Sequence, residues 1–160
     1  MLDPTIFTAF NFLVEINVPG VSDQVCAAAF AECDGLEVSM EAKSFQEGGN
    51  NTAQVHLAGP VSYGQLTLKR GMSADFGLWR WFDAVLKTDG RGLRGQASVT
   101  LLAADRLPQV QFKLRDCLPV KLRAPALNAK DGLIAIEEMQ IVYAAFDVEF
   151  PTTLGIRISL

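Results

Sequence analysis

The sequence predicts a mainly β protein that carries one amphipathic α-helix. Two observations support this prediction. Apolar and polar residues alternate in several short segments, which is the pattern of half-buried antiparallel strands. Residues 73–88 instead place their polar side chains at helical spacing. The length of 160 residues, with 20% of them charged, is ordinary for a single soluble domain.

The alternating segments are spread over most of the chain, and each predicts a strand with one face on a core. They are residues 10–16, 36–43, 63–69, 98–103, 110–115 and 134–143. In the last segment, Ile134 and Ile136 are out of phase with Met139. The phase changes at Glu137–Glu138, which predicts a β-bulge or a bend at that point.

The helix is predicted at about residues 74–88, with Ser73 as its N-cap. Its apolar arc contains Trp79, whereas Trp81 falls at the edge of the arc and is placed to reach a partner surface. Gly77 inside the helix costs about 1 kcal/mol relative to alanine. We therefore expect Gly77 to pack closely against a strand.

The composition disfavours several classes of function. A net charge of −4 argues against binding nucleic acid through bulk charge. The three cysteines are Cys26, Cys33 and Cys117, and their spacing fits no zinc pattern. We predict reduced thiols and no metal. The sequence shows no signal peptide and no apolar run of about 20 residues, so we expect no membrane insertion.

No catalytic set is apparent. His56 is the only histidine, and it lies beside a segment rich in glycine and asparagine, which favours a surface role over that of a base. Glu137 and Glu138 are adjacent, so a strand points them to opposite faces. We predict no catalytic residue and no cofactor. Two alternatives stay open, a ligand-binding barrel that uses the aromatics near Trp79 and an enzyme subunit that uses His56.

Three stretches taken together resemble a known family. They are residues 30–38 with 44–51, residues 59–71 with 78–82, and residues 118–122 with 125–129 and 134–141. In order and spacing, the chain from Phe10 to about Val148 resembles the tail-tube family of contractile phages and phage-derived extracellular injection systems. The tube of type VI secretion is related in architecture. The loop Gly48–Asn51 and the strand Leu66–Gly71 are the more specific parts of the resemblance.

The resemblance implies a small antiparallel β-barrel or sandwich with the helix on its flank, as a single domain over residues 1–160. It also implies homohexameric rings that stack into a conduit for cargo inside a contractile sheath. The expected partners are further copies, the sheath protein, the baseplate or spike hub, a tube-terminating cap and the cargo. Assembly is expected in the bacterial cytoplasm, in a particle that is released or membrane-anchored.

The resemblance also points to a stacking loop over residues 43–60, which reaches the next ring. Glycines permit a tight turn at its tip. The residues expected at the ring-stacking interface are Lys43, Phe45, Glu47, Gly48, Gly49, Asn50, Asn51 and His56.

Residues 149–160 form a C-terminal arm that the common tube subunits lack. Three apolar residues alternate with Arg157 and Ser159 in it, which predicts a short extra strand or an extended arm that joins a neighbour's sheet. The residues expected to make inter-subunit contacts are Phe150, Ile156, Ile158 and Leu160. Because of this arm, a tube-initiating ring between spike hub and tube remains an alternative to the repeating tube subunit.

Overall fold

The structure is a computed structural model that describes residues 11–46, 48–49, 53–89, 91, 93–150 and 156–160. This part of the chain contains eleven strands and one α-helix. They are β1 Phe12–Val18, β2 Ser22–Ala28, β3 Glu32–Asp34, β4 Val38–Phe45, β5 Val55–Tyr63, β6 Gln65–Gly71, α1 Gly77–Lys87, β7 Gly95–Leu102, β8 Pro108–Arg123, β9 Ile136–Val142, β10 Ala145–Phe150 and β11 Ile156–Ser159.

Nine of these strands form one antiparallel sheet. The strand order is β2-β1-β7-β8-β9-β6-β3, while β10 pairs with β8 and carries β11. The long strand β8 belongs to two leaves of the sheet. The first leaf contains β2, β1, β7, β8, β10 and β11, and the second contains β8, β9, β6 and β3. Its Lys113 pairs with β7 and β10, whereas its Leu122 pairs with β9. The leaves meet at β8 and enclose one core, which confirms the predicted mainly β fold with one flanking helix.

The core is built from alternate residues of the strands and from one face of the helix. Strand β1 contributes Val14 and Ile16, β6 contributes Leu66 and Leu68, and α1 contributes Trp81, each at most 1% exposed. Burial of a large apolar side chain stabilises a fold by about 1.5–3 kcal/mol. The period-two burial in the strands agrees with the alternation in the sequence.

Helix α1 begins at Gly77, which is later than predicted. The Ser73 hydroxyl accepts a hydrogen bond from the Asp75 amide at 3.3 Å, and the Asp75 carboxylate accepts one from the Gly77 amide at 3.1 Å. The prediction of Ser73 as N-cap is wrong because these local turns hold the chain outside the helix. The close packing of Gly77 is confirmed, since a Cβ there would lie 1.8 Å from the Val25 carbonyl oxygen.

The two tryptophans of α1 exchange their predicted roles. Trp81 is fully buried, and its indole N–H donates to the Leu93 carbonyl at 2.9 Å. Trp79 is half-buried at the edge of the helix. The prediction that Trp81 reaches the surface is wrong because the buried stripe of the helix runs through Leu78, Trp81 and Val85.

The predicted bulge at Glu137–Glu138 is also wrong. Strand β9 pairs with β6 without interruption, and the irregularity lies in β8, between Pro119 and Lys121. The cause of the phase change is that Glu137 itself occupies the core face, at 2% exposure, whereas Ile134 lies before β9 and is 80% exposed.

The three cysteines are free thiols, as predicted, with Cys26 and Cys117 buried and Cys33 half-buried. Burial raises the pKa of Cys26 and Cys33 to about 11 and that of Cys117 to about 12. The described residues hold no cluster of three or more potential metal ligands. Among them, no helix is long and apolar enough to cross a membrane.

Candidate functional site

Strands β4 and β5 form a separate two-stranded sheet beside the body of the protein. Their register runs from Val38 opposite Tyr63 to Phe45 opposite Val55, so they make a hairpin. At about 3.3 Å per residue, the 8-residue strand β4 spans roughly 25 Å. The loop predicted over residues 43–60 is therefore shorter, because β4 continues to Phe45 and β5 already begins at Val55.

One face of the outer half of this hairpin is apolar. Lys43 pairs with Leu57 and Phe45 pairs with Val55, and directly paired residues share a face. Phe45 is 45% exposed, Val55 37% and Leu57 52%. We call the surface of these four residues the distal face. The opposite face carries small or polar side chains, namely Ala42, Ser44, His56 and Ala58.

The structure brings together only some of the predicted stacking residues. Lys43 and Phe45 share the distal face, whereas the exposed His56 points to the opposite side of the hairpin. Gly48 and Gly49 form a turn, and Gly49 has a φ of +97°, a conformation that favours glycine. The other predicted residues, Glu47, Asn50 and Asn51, lie outside the described residues.

The base of the hairpin is tied to the body by Tyr143. The Tyr143 hydroxyl lies 2.7 Å from the Gly35 carbonyl oxygen and 3.1 Å from the Glu37 carbonyl oxygen, and either oxygen can accept its proton. The hydroxyl oxygen also accepts a hydrogen bond from the Glu37 amide at 3.2 Å. Its ring packs on that of Tyr63, with the centroids 5.8 Å apart. Burial raises the pKa of Tyr143. The base is therefore held firmly, while the outer half extends away from it.

A buried ion pair fixes the start of α1 against the second leaf. Arg70 and Glu137 are 4% and 2% exposed, and the Arg70 Nε donates to Glu137 Oε1 at 2.5 Å. The second Glu137 oxygen accepts from the Trp79 indole at 2.8 Å. Arg70 also binds the Asp75 carboxylate at 3.2 Å, just before the helix. The sequence analysis assigned no role to this network.

A shallow apolar groove lies beside this network, at the start of α1. It has a volume of about 450 Å³ and is lined by Met72, Phe76, Trp79, Arg80 and Asp83. Met72 is 43% exposed and Phe76 49%, so the described chain leaves about half of each residue uncovered. We call it the α1 groove. The alternative of a ligand-binding site near Trp79 concerned this part of the helix, whereas Met72 and Phe76 had no predicted role.

The C-terminal strand β11 confirms the extra strand predicted over residues 156–160. It pairs with β10 of the same chain, from Ile156 opposite Phe150 to Ser159 opposite Asp147. Ile158 and Leu160 remain 46% and 43% exposed. Their contacts with other copies stay a prediction.

A ladder of charges clamps β11 to the sheet. Asp147, which is 1% exposed, binds Arg157 of β11 at 2.7 Å and lies 3.6 Å from Arg115 of β8. On the same side, Glu149 binds Lys113 of β8 at 2.8 Å. The two carboxylates are more buried than the cations that bind them, whose side chains are about half exposed.

We expect Asp147→Asn to increase hydrogen exchange of the β11 amides at pH 7, and this difference to shrink as the pH falls below about 4. The hydrogen bond from Arg157 is the main cause that holds the pKa of Asp147 below its ordinary value. A lowered pKa stabilises the folded state above the unfolded-state pKa of about 3.9, and that stability is lost as the pH falls through the folded-state pKa. Asp116→Asn, an exposed control on β8, should change nothing. Equal exchange of wild type and Asp147→Asn at pH 7 would contradict this account.

Together these features define a β-sandwich with a projecting hairpin that carries exposed apolar side chains, as suits a protein that contacts other chains. The chain belongs to the family described as T4-like virus tail tube protein gp19, whose sequence profile matches residues 8–147. This confirms the family resemblance. No curated protein matches the chain.

Solved structures from contractile particles are similar to this chain. A chain of the anti-feeding prophage baseplate, determined with 6-fold symmetrisation, has 25% identity and a TM-score of 0.82 over 96% of this chain and 100% of its own length. A chain of the PVC sheath–tube complex, an extracellular contractile injection system in its extended state, has 15% identity and a TM-score of 0.77, with 91% and 92% covered. A mutant Hcp1 protein from E. coli EAEC 042 has 12% identity and a TM-score of 0.56, with 94% and 98% covered. The last two similarities show a shared fold.

Proposed function

We propose that this chain is a structural, non-catalytic subunit of the inner tube of a contractile injection particle or phage tail. Homohexameric rings of the chain stack into a conduit for cargo. The observation that carries this proposal is the projecting hairpin, with its exposed distal face, on a member of the tail tube family. A large apolar side chain contributes about 1.5–3 kcal/mol when another chain buries it.

The sheet edges give a second reason for assembly into rings. Strand β2 ends the first leaf and β3 ends the second, while β11 lies at the end of the branch through β10. Such edges present unpaired backbone groups that invite pairing with another chain. Closed rings cover them in a regular way. The proposed partners are a sheath protein, the baseplate and a tube terminator, which are named in structures of similar chains. Assembly in the bacterial cytoplasm is part of the proposal.

The wild-type protein is expected to form six-fold rings and short tubes in negative-stain electron microscopy. Deletion of residues 46–52 should leave the rings but abolish the tubes, because it removes the tip that reaches the next ring. His56→Ala is the control, since His56 points away from the distal face, and it should assemble normally. A wild-type protein that stays monomeric at high concentration would overturn the proposal.

A second candidate is a tube-initiating ring at the baseplate. Two observations favour it. The baseplate chain has 25% identity to this chain, against 15% for the sheath–tube chain. Strand β11 also lies beyond residue 147, where the family match ends. The copy number in a purified particle separates the two candidates, because an initiator fills one ring and a tube subunit fills many.

A further inference from the structure

We propose that the distal face of one copy docks into the α1 groove of a second copy, with Lys43 of the first beside Asp83 of the second. The inference rests on the proposed function, because it names the contact by which copies join. It assigns a receiving surface and a direction to the hairpin.

Both surfaces are apolar and exposed on the same chain. The distal face presents Phe45, Val55 and Leu57, and the groove presents Met72 and Phe76. Each of these residues is between 37% and 52% exposed. The lining of the groove includes no residue of the hairpin, so the described part of the hairpin does not cover the groove. One surface projects and the other is concave.

Two different surfaces that fit each other make a head-to-tail contact. Such a contact leaves one free surface of each kind on every pair, so it continues into a ring or a filament. A contact of the hairpin with an identical hairpin would stop at a dimer. The apolar surfaces of this chain therefore have the arrangement that a repeating assembly needs.

The volume of the groove is sufficient for the side chains of the distal face. A protein cavity of about 150 Å³ holds one benzene molecule. The α1 groove, at about 450 Å³, has room for the Phe45 ring together with Val55 or Leu57. Trp79 supplies an aromatic surface in it, and its indole N–H is held by Glu137, which fixes the ring in place.

The charges fit in one direction. Lys43 lies opposite Leu57 on the distal face, so it enters next to the apolar side chains. Asp83 lines the groove and binds Lys87 at 2.7 Å, but both side chains are at least 60% exposed. Such a surface pair contributes little, so Asp83 is free to exchange its partner. Arg80 also lines the groove, and its like charge disfavours a position of Lys43 beside it, so pairing with Asp83 favours one orientation of the hairpin.

A charge exchange tests the pairing directly. Lys43→Glu and Asp83→Lys should each raise the protein concentration needed for assembly at least about tenfold, since like charges then meet in the contact. The combined variant should return to within about threefold of wild type. Ser44→Glu, on the opposite face of the hairpin, is the matched control and should assemble as wild type. Light scattering and negative-stain microscopy report assembly, and unchanged thermal unfolding shows that each variant is folded.

Cross-linking gives an independent measurement. A mixture of Leu57→Cys and Met72→Cys proteins should form disulfide-linked dimers under mild oxidation. A control mixture of His56→Cys and Met72→Cys proteins should give a yield of linked dimers at least about tenfold lower, because His56 lies on the face of the hairpin opposite the distal face. The contact would be overturned if the wild-type protein forms rings and tubes but the combined charge variant does not recover assembly and the cysteine variants do not cross-link. That result would leave the proposed function standing. A monomeric wild-type protein would overturn both.

Discussion

Replacing Glu137 with alanine is expected to lower the free energy of unfolding by about 3 kcal/mol, because it removes the buried partner of Arg70 and leaves that charge only the half-exposed Asp75 carboxylate. Arg70 is 4% exposed, and Glu137 Oε1 accepts its Nε–H at 2.5 Å. The variant also removes the acceptor of the Trp79 indole, which binds Glu137 at 2.8 Å. The start of α1 would lose its main polar attachment to β9.

Urea or thermal unfolding measures this loss. For a domain of this size, 1 kcal/mol corresponds to about 2–4 °C in Tm, so we expect Tm to fall by about 10 °C. The matched control is Glu138→Ala, which changes the next residue of β9 on the other face and should cost under about 1 kcal/mol. Replacing both Arg70 and Glu137 with methionine should recover much of the loss. Equal effects of Glu137→Ala and Glu138→Ala would contradict the role of the pair.

Replacing Gly35 with alanine is expected to cost about 2–4 kcal/mol. Gly35 has a φ of +98°, and a side chain in that region costs about 1–2 kcal/mol. A Cβ there would also lie 1.9 Å from the Gln65 carbonyl oxygen, so the backbone of β6 would have to shift. The shift would reach the Tyr143 hydroxyl, which lies 2.7 Å from the Gly35 carbonyl oxygen at the base of the hairpin.

Gly49 provides the control for this second prediction. Its φ is +97°, almost that of Gly35, but no atom of the described residues lies within 4 Å of a Cβ built there. Gly49→Ala therefore carries the backbone strain without the steric contact. The difference between the two variants in urea unfolding measures the close approach of Gly35 to β6. A difference near zero would show that β6 can move aside at no cost.

The sequence predicted the fold class, because period-two alternation reports which residues of a strand face a core. It failed where a charged residue occupied a core position. Arg70 continues the buried series of Leu66 and Leu68, and Glu137 continues that of Met139. These two residues are directly paired between β6 and β9. The alternation in each strand places Arg70 and Glu137 on the buried face. That the two residues are neighbours follows only from the pairing of β6 with β9, which is a long-range property that neither segment contains by itself.

The candidate site was predictable in part. The family resemblance pointed to Lys43 and Phe45, and the structure places both on the distal face. Val55 and Leu57 alternate with His56, which is a strand signal, but the nearby glycines favoured a loop. The α1 groove was not predictable, because it arises where α1 and the turn before it leave Met72 and Phe76 uncovered. That arrangement depends on how the helix is rotated on the sheet.

The separation of β4 and β5 from the main sheet has a consequence for the kinetics of the proposed tube assembly. An isolated two-stranded hairpin is marginally stable in water. Ordering the outer half therefore opposes the first encounter between copies, and a single contact is weak. A growing end presents hairpins and grooves that are already ordered by their neighbours, so later subunits add without that entropic cost. In the proposed tube, growth from a preformed end is then expected to be faster than spontaneous initiation, so purified subunits should assemble after a lag that a preformed end removes.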